Sequence, residues 1–129
     1  MNRSKVLTYD GSFNGFLTAV FVVFEEKLQI SNIQKELNVQ NDIFSDTENV
    51  ITSLKKSERL KIGIRTKSKK ALNRIYFAYL SERKGIEILL YHYIKRLFSA
   101  QKDIHSDYAD DFVLKITQIA KSVGREKHR

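Results

Sequence analysis

The hydrophobic pattern opens on a short β-branched and aromatic run, Lys5-Val6-Leu7-Thr8-Tyr9-Asp10, followed by the turn signal Asp10-Gly11-Ser12. It predicts a strand with Ser12 placed to cap the next helix by accepting a backbone N–H. Residues 13–27 then place Phe13, Phe16, Leu17, Val20, Phe21 and Phe24 at helical spacing, with Val22 and Val23 widening the stripe. A helix this apolar is expected at the centre of a core. Residues 28–47 are polar and irregular, with Ile30, Ile33, Leu37, Val39, Ile43 and Phe44 as scattered anchors, and Glu48-Asn49-Val50-Ile51-Thr52 is expected as a second strand beside the first.

Residues 54–66 fit two patterns. Leu60, Ile62 and Ile64 alternate with polar positions as in a strand, whereas Leu54, Ser57, Leu60 and Ile64 form a helical stripe behind a Ser53 cap. Beyond them the helical pattern is clear. Ser68 caps a helix with the stripe Leu72, Ile75, Tyr76, Tyr79 and Leu80, expected to end near Arg83-Lys84-Gly85. Both tyrosines are assigned to its core face. A second helix carries Ile86, Leu89, Leu90, Tyr93 and Leu97 and stops near Ala100. A third begins at about Asp110 and carries Phe112, Val113, Ile116, Ile119, Ala120 and Val123. Asp110 and Asp111 fall in its first turn, where carboxylates oppose the helix dipole favourably. The expected fold is α+β and mostly helical, a small N-terminal β element followed by a bundle of about four to five helices. One continuous domain over 1–129 is expected, since no repeat, proline or low-complexity tract interrupts the chain.

Composition narrows the chemistry. The chain has no cysteine, which removes disulfides, thiolate metal sites and cysteine nucleophiles. The longest apolar run, Phe16 to Phe24, is far short of the roughly 20 residues a bilayer demands, so a cytoplasmic protein with no membrane partner is expected. Charge is distributed unevenly. Residues 1–50 hold four basic and seven acidic residues, a net −3, and the remainder holds nineteen basic and eight acidic, a net +11. Segment 55–74 alone carries nine basic residues against Glu58. Such asymmetry is the electrostatic footprint of a polyanion partner. The alternative is a solvated basic helix face.

Lys55, Lys56, Arg59, Lys67, Lys69, Lys70 and Arg74 are the candidate phosphate contacts, because lysines around a helix start join its free N–H groups in holding phosphate oxygens. No Walker loop, dinucleotide-binding glycine pattern or His-Glu-x-x-His metal motif is present, and no metal or cofactor is expected. His92 reads as a surface or boundary residue and His105 is given no role. Asp107 and Asp111 stand one helical turn apart, a spacing that structure explains. The C-terminal Val123-Gly124-Arg125-Glu126-Lys127-His128-Arg129 is a dense polar group, also readable as a solvated tail.

Several of these motifs resemble, in order, a bacterial family of DNA-repair or DNA-metabolism proteins that is formally a domain of unknown function. The motifs are Tyr9-Asp10-Gly11-Ser12-Phe13 with Gly15-Phe16-Leu17 and Ala19-Val20-Phe21, then Tyr79-Leu80-Ser81-Glu82, Gly85-Ile86-Glu87 and Val123 to Arg129. The resemblance spans the chain and favours the helical reading of 54–66. It implies a DNA-binding or accessory module of a repair or modification system, a companion radical-SAM protein, and in some members fusion to a uracil-DNA-glycosylase-like domain. Family members continue past the His-Arg element into a second half, so the chain is expected to correspond to the N-terminal part of a longer domain. The resemblance also adds weight to Arg125 and Arg129 as phosphate or partner contacts. It makes Glu126 and His128 weak candidates for acid–base catalysis. Docking of a catalytic partner is the other function it allows.

Overall fold

The computed structural model describes residues 4–36, 46–99 and 111–127. The chain is α+β and mostly helical, and its element order is β1 (Lys5–Tyr9), α1 (Phe13–Glu26), β2 (Ile30–Lys35), β3 (Asp46–Asn49), α2 (Leu54–Lys67), α3 (Lys69–Leu80), α4 (Ile86–Ser99) and α5 (Asp111–Lys127). It forms two compact units, Met1–Leu60 and Lys61–Arg129, whose boundary falls inside α2.

The first unit is a three-stranded sheet in the order β2-β1-β3, with both pairings parallel. Leu7 stands opposite Ile33 on one side and Glu48 on the other. Parallel neighbours need a crossover, and α1 supplies it between β1 and β2. Leu7, Thr8 and Tyr9 are consecutive and all buried, so both faces of β1 are covered along its carboxyl half. Gly15, Phe16, Leu17, Thr18, Ala19, Val20, Val22 and Val23 are buried along α1, the core helix that its apolar circumference predicted. Phe16 packs against Tyr9 with ring centroids 6.2 Å apart. The helix closes on Lys27 in the left-handed conformation (φ 53°), whose N–H donates to the Val23 carbonyl.

Two expectations about the sheet change. A strand, β2, occupies part of the stretch read as irregular. Only Ile33 of β2 is fully buried, and an edge strand with one deep anchor leaves little alternation to read. The strand expected over 48–52 lies at 46–49 and does pair with β1, while Val50 donates its N–H to the Thr8 carbonyl just past the strand end. The anchors at Leu37, Val39, Ile43 and Phe44 lie outside the described residues, as do His105, Asp107 and Asp110.

The second unit contains the carboxyl half of α2 with α3, α4 and α5. Ile64, Ile75, Leu90, Tyr93, Ile94, Leu97, Val113 and Ile116 are fully buried, so each helix contributes to one shared core. Small residues on α3, Ala71 and Ala78, are buried at its contact face. Residues 54–66 are helical. Gly63 gives the Phe98 ring its room, since a methyl there would stand 3.2 Å from the ring edge. The end of α3 differs from expectation. The helix stops at Leu80, where Ser81 donates its hydroxyl to the Ala78 carbonyl at 2.6 Å and Glu82 takes a positive φ of 52°. Gly85 (φ 79°) instead forms the approach to α4.

Candidate nucleic-acid interface

The nine basic residues of segment 55–74 fall into different surroundings. In the first unit, Lys55 is exposed, Lys56 pairs with Glu25 at 3.3 Å, and the Arg59 guanidinium lies 5.7 Å from the centre of the Phe21 ring. Lys61 and Arg74 are half-buried. The rest gather at the break between α2 and α3. Arg65 and Lys67 occupy the last turn of α2, where the dipole favours cations, and Lys69 and Lys70 occupy the first turn of α3, where it opposes them. All four are exposed.

A single residue makes that break. Ser68 is extended (φ −161°, ψ 118°), and its N–H still donates to the Ile64 carbonyl, closing α2. Its buried hydroxyl accepts the Ala71 N–H at 3.3 Å, opening α3. Ser53 does the same for α2, accepting the Lys56 N–H at 3.2 Å. The first turn of α3 contains no acidic residue. Two lysines at a helix start each cost a few tenths of a kcal/mol in the absence of an anion.

Beside the break lies an open depression of about 510 Å³, lined by Ile62, Arg65, Thr66, Lys69, Leu72 and Asn73. Arg65 and Lys69 supply its positive charge, Ile62 and Leu72 its apolar floor, and Asn73 an amide. The Thr66 hydroxyl is engaged within its own helix, donating to the Ile62 carbonyl at 2.9 Å. Thus, of the predicted phosphate contacts, Lys69 lines the depression, Lys67 and Lys70 flank the same break, and Lys55, Lys56 and Arg59 belong to a separate unit. Ile62, Arg65, Leu72 and Asn73 were not among the predicted contacts, Arg65 counting only within the basic run and Ile62 and Leu72 only as hydrophobic positions. The signal for Arg65 was its position four residues before Lys69, which becomes informative only once the chain is known to bend at Ser68. The side chains of Arg125 and Glu126, and the whole of His128 and Arg129, lie outside the described part of the structure.

The Asp10-Gly11-Ser12 turn forms a second polar cluster, at the carboxyl edge of the sheet. Gly11 takes a φ of 91°, a conformation that favours glycine. The Asp10 carboxylate then accepts three hydrogen bonds, from the Ser12 N–H at 2.9 Å, the Ser12 hydroxyl at 2.6 Å and the Thr52 hydroxyl at 2.8 Å. These donors, the Ser12 hydroxyl foremost, hold the carboxyl below the usual carboxylate range. The Ser12 hydroxyl in turn accepts the Gly15 N–H at 2.9 Å and caps α1. Behind it the Ser57 hydroxyl donates to Asn14 Oδ1 at 2.9 Å, and the Ser53 N–H donates to the Thr18 hydroxyl at 3.2 Å. This cluster ties the start of α1 to the start of α2.

His92 is half-buried at the contact of α4 with α5, 5.3 Å from the Phe112 ring centre. Desolvation, then the charges of Lys95 and Arg96, push its pKa below the ordinary imidazole value. Among the described residues, no group of three or more acidic or histidine side chains is placed to hold a metal ion. No helix there is long and apolar enough to cross a membrane. Comparison with protein-family models, with curated proteins and with solved structures gives no match.

Proposed function

We propose that the chain is a DNA-binding or accessory module of a bacterial DNA repair or modification system, and that it grips phosphates at the α2–α3 break. The observation that carries this reading is that four exposed cations, Arg65, Lys67, Lys69 and Lys70, flank a helix start with no acidic residue, and two of them, Arg65 and Lys69, line one depression. The N–H groups of that helix start that the Ser68 cap leaves over, the dipole and the lysines all favour an anion. The contacts address the backbone, so they position the module without reading base sequence. On the family resemblance, the enzymatic partner is a radical-SAM protein.

The test is fluorescence anisotropy of the chain with labelled DNA, titrated across salt. The expected result is micromolar or tighter binding at low salt that weakens steeply as salt rises, since bound phosphates release counterions. Reversing Lys69 and Lys70 to glutamate weakens binding to every DNA sequence alike. Absence of binding at low salt sinks the reading.

One observation favours the second reading, docking of a catalytic partner. Ile51 and Leu54, in the connection from β3 into α2, are 84% and 68% exposed. Large apolar side chains this exposed within three residues suit a protein contact. That reading expects Ile51→Ser with Leu54→Ser to abolish co-purification with the radical-SAM partner while DNA affinity stays unchanged.

A further inference from the structure

The two faces of α3 differ in character. Ala71, Ile75, Ala78 and Tyr79 are buried on one. Lys69, Asn73, Tyr76 and Leu80 recur at i, i+4, i+7 and i+11, so they share the other, and all four are exposed. Tyr76 is 38% exposed, outside the core face that the hydrophobic spacing assigned to it. Its ring therefore stands on the stripe that carries Lys69 and Asn73, two of the residues lining the depression.

We propose that this stripe selects single-stranded over duplex DNA, with Tyr76 as a stacking platform for an unpaired base and Arg65 and Lys69 holding phosphates of the same strand. The inference rests on the DNA-binding reading above. Lys69 and Tyr76 lie about 10 Å apart along the helix axis, a distance that a short stretch of strand bridges. An aromatic ring beside a cationic track is the combination that binds single strands without sequence preference, because every base has a π-face. The bases of a duplex are already stacked on one another and present no face to a ring on a convex helix. Asn73, between Lys69 and Tyr76 on the stripe, supplies donors and an acceptor for a base edge. Ile62 and Leu72 give the depression an apolar floor on which a base or sugar can rest.

The test compares the full chain and its variants on an oligothymidylate and on a duplex of equal length. Tyr76→Ala is expected to weaken single-strand binding about tenfold while duplex binding is unchanged, and Tyr76→Phe to keep both. The chain contains no tryptophan, so Tyr76→Trp introduces a single reporter at the platform. Its emission is expected to be quenched as oligothymidylate binds, which also covers the case of an alanine variant that fails to fold. If both DNA forms bind with steep salt dependence and Tyr76→Ala binds single strands as the native chain does, this inference falls and the DNA-binding reading stands. Binding by anisotropy with unchanged tryptophan emission overturns it equally. If neither form binds at low salt, both readings fall together.

Discussion

At Gly15 a hydrogen stands where any other residue would place a methyl group among three oxygens. The methyl would overlap the Asp10 carboxylate and lie 2.8 Å from the Thr52 hydroxyl and 3.0 Å from that of Ser12. Gly15→Ala must therefore push apart the turn that caps α1. A loss of about 1–3 kcal/mol in unfolding free energy is expected, the ordinary cost of overpacking a close contact. A urea titration in which Gly15→Ala matched the native midpoint would show that the turn yields freely. Asp10 makes a second prediction. Its pKa lies below the ordinary value, so its contribution to stability is present above that value and is lost as pH falls through the lowered folded-state pKa. Melting temperature measured downward from about pH 5 should fall less for Asp10→Asn than for the native chain. Equal falls would mean that other carboxylates govern the acid transition. Both residues belong to a motif readable in the sequence as strand end, turn and cap. The partnership of Asp10 with Thr52, forty-two positions away, was not readable, because it exists only once β3 pairs with β1. Tyr76 was misassigned for a related reason. Hydrophobic spacing cannot tell which of two adjacent aromatic rows a helix turns inward, and Ile75 and Tyr79 took that place.

At the scale of elements, caps were the most legible feature. Ser12, Ser53 and Ser68 each accept the N–H three residues on, as their positions ahead of apolar stripes implied. Parallel pairing was the least legible, since register between strands separated by a helix leaves no local signature and the edge strand β2 is mostly polar. On the proposed reading, the start of α3 sets stability against binding. Its first turn holds Lys69 and Lys70, which the helix dipole disfavours. Lys69→Glu with Lys70→Glu should therefore stabilise the folded chain, by about 0.3–1 kcal/mol per reversal at low ionic strength, while it weakens DNA binding. Opposite movements of the two readouts separate a binding role from a folding role, because a change that merely damaged α3 would lower both. Ser68→Ala is the converse probe. It removes the buried cap and should cost about 1 kcal/mol of stability, leaving the charges in place.

Across the whole molecule, the proposed binding rests on the distribution of charge. Residues 1–60 hold seven basic and eight acidic residues, a net −1, and residues 61–129 hold sixteen basic and seven acidic, a net +9, so the positive charge lies in the helical unit and the sheet unit is close to neutral. A field of that kind speeds encounter with a polyanion from any direction, whereas only cations in contact displace counterions. The salt dependence of binding separates the two contributions. If Arg65, Lys67, Lys69 and Lys70 each neutralise one phosphate of a single strand, log K should fall against log salt with a slope of about −3. The double reversal at Lys69 and Lys70 removes two of those contacts, so the slope should shrink to about −1.4, alongside the loss of affinity. A reversal that lowered affinity while leaving the slope at its native value would show the two lysines acting only through the general field. The contacts would then have to be sought among the other cations of the helical unit.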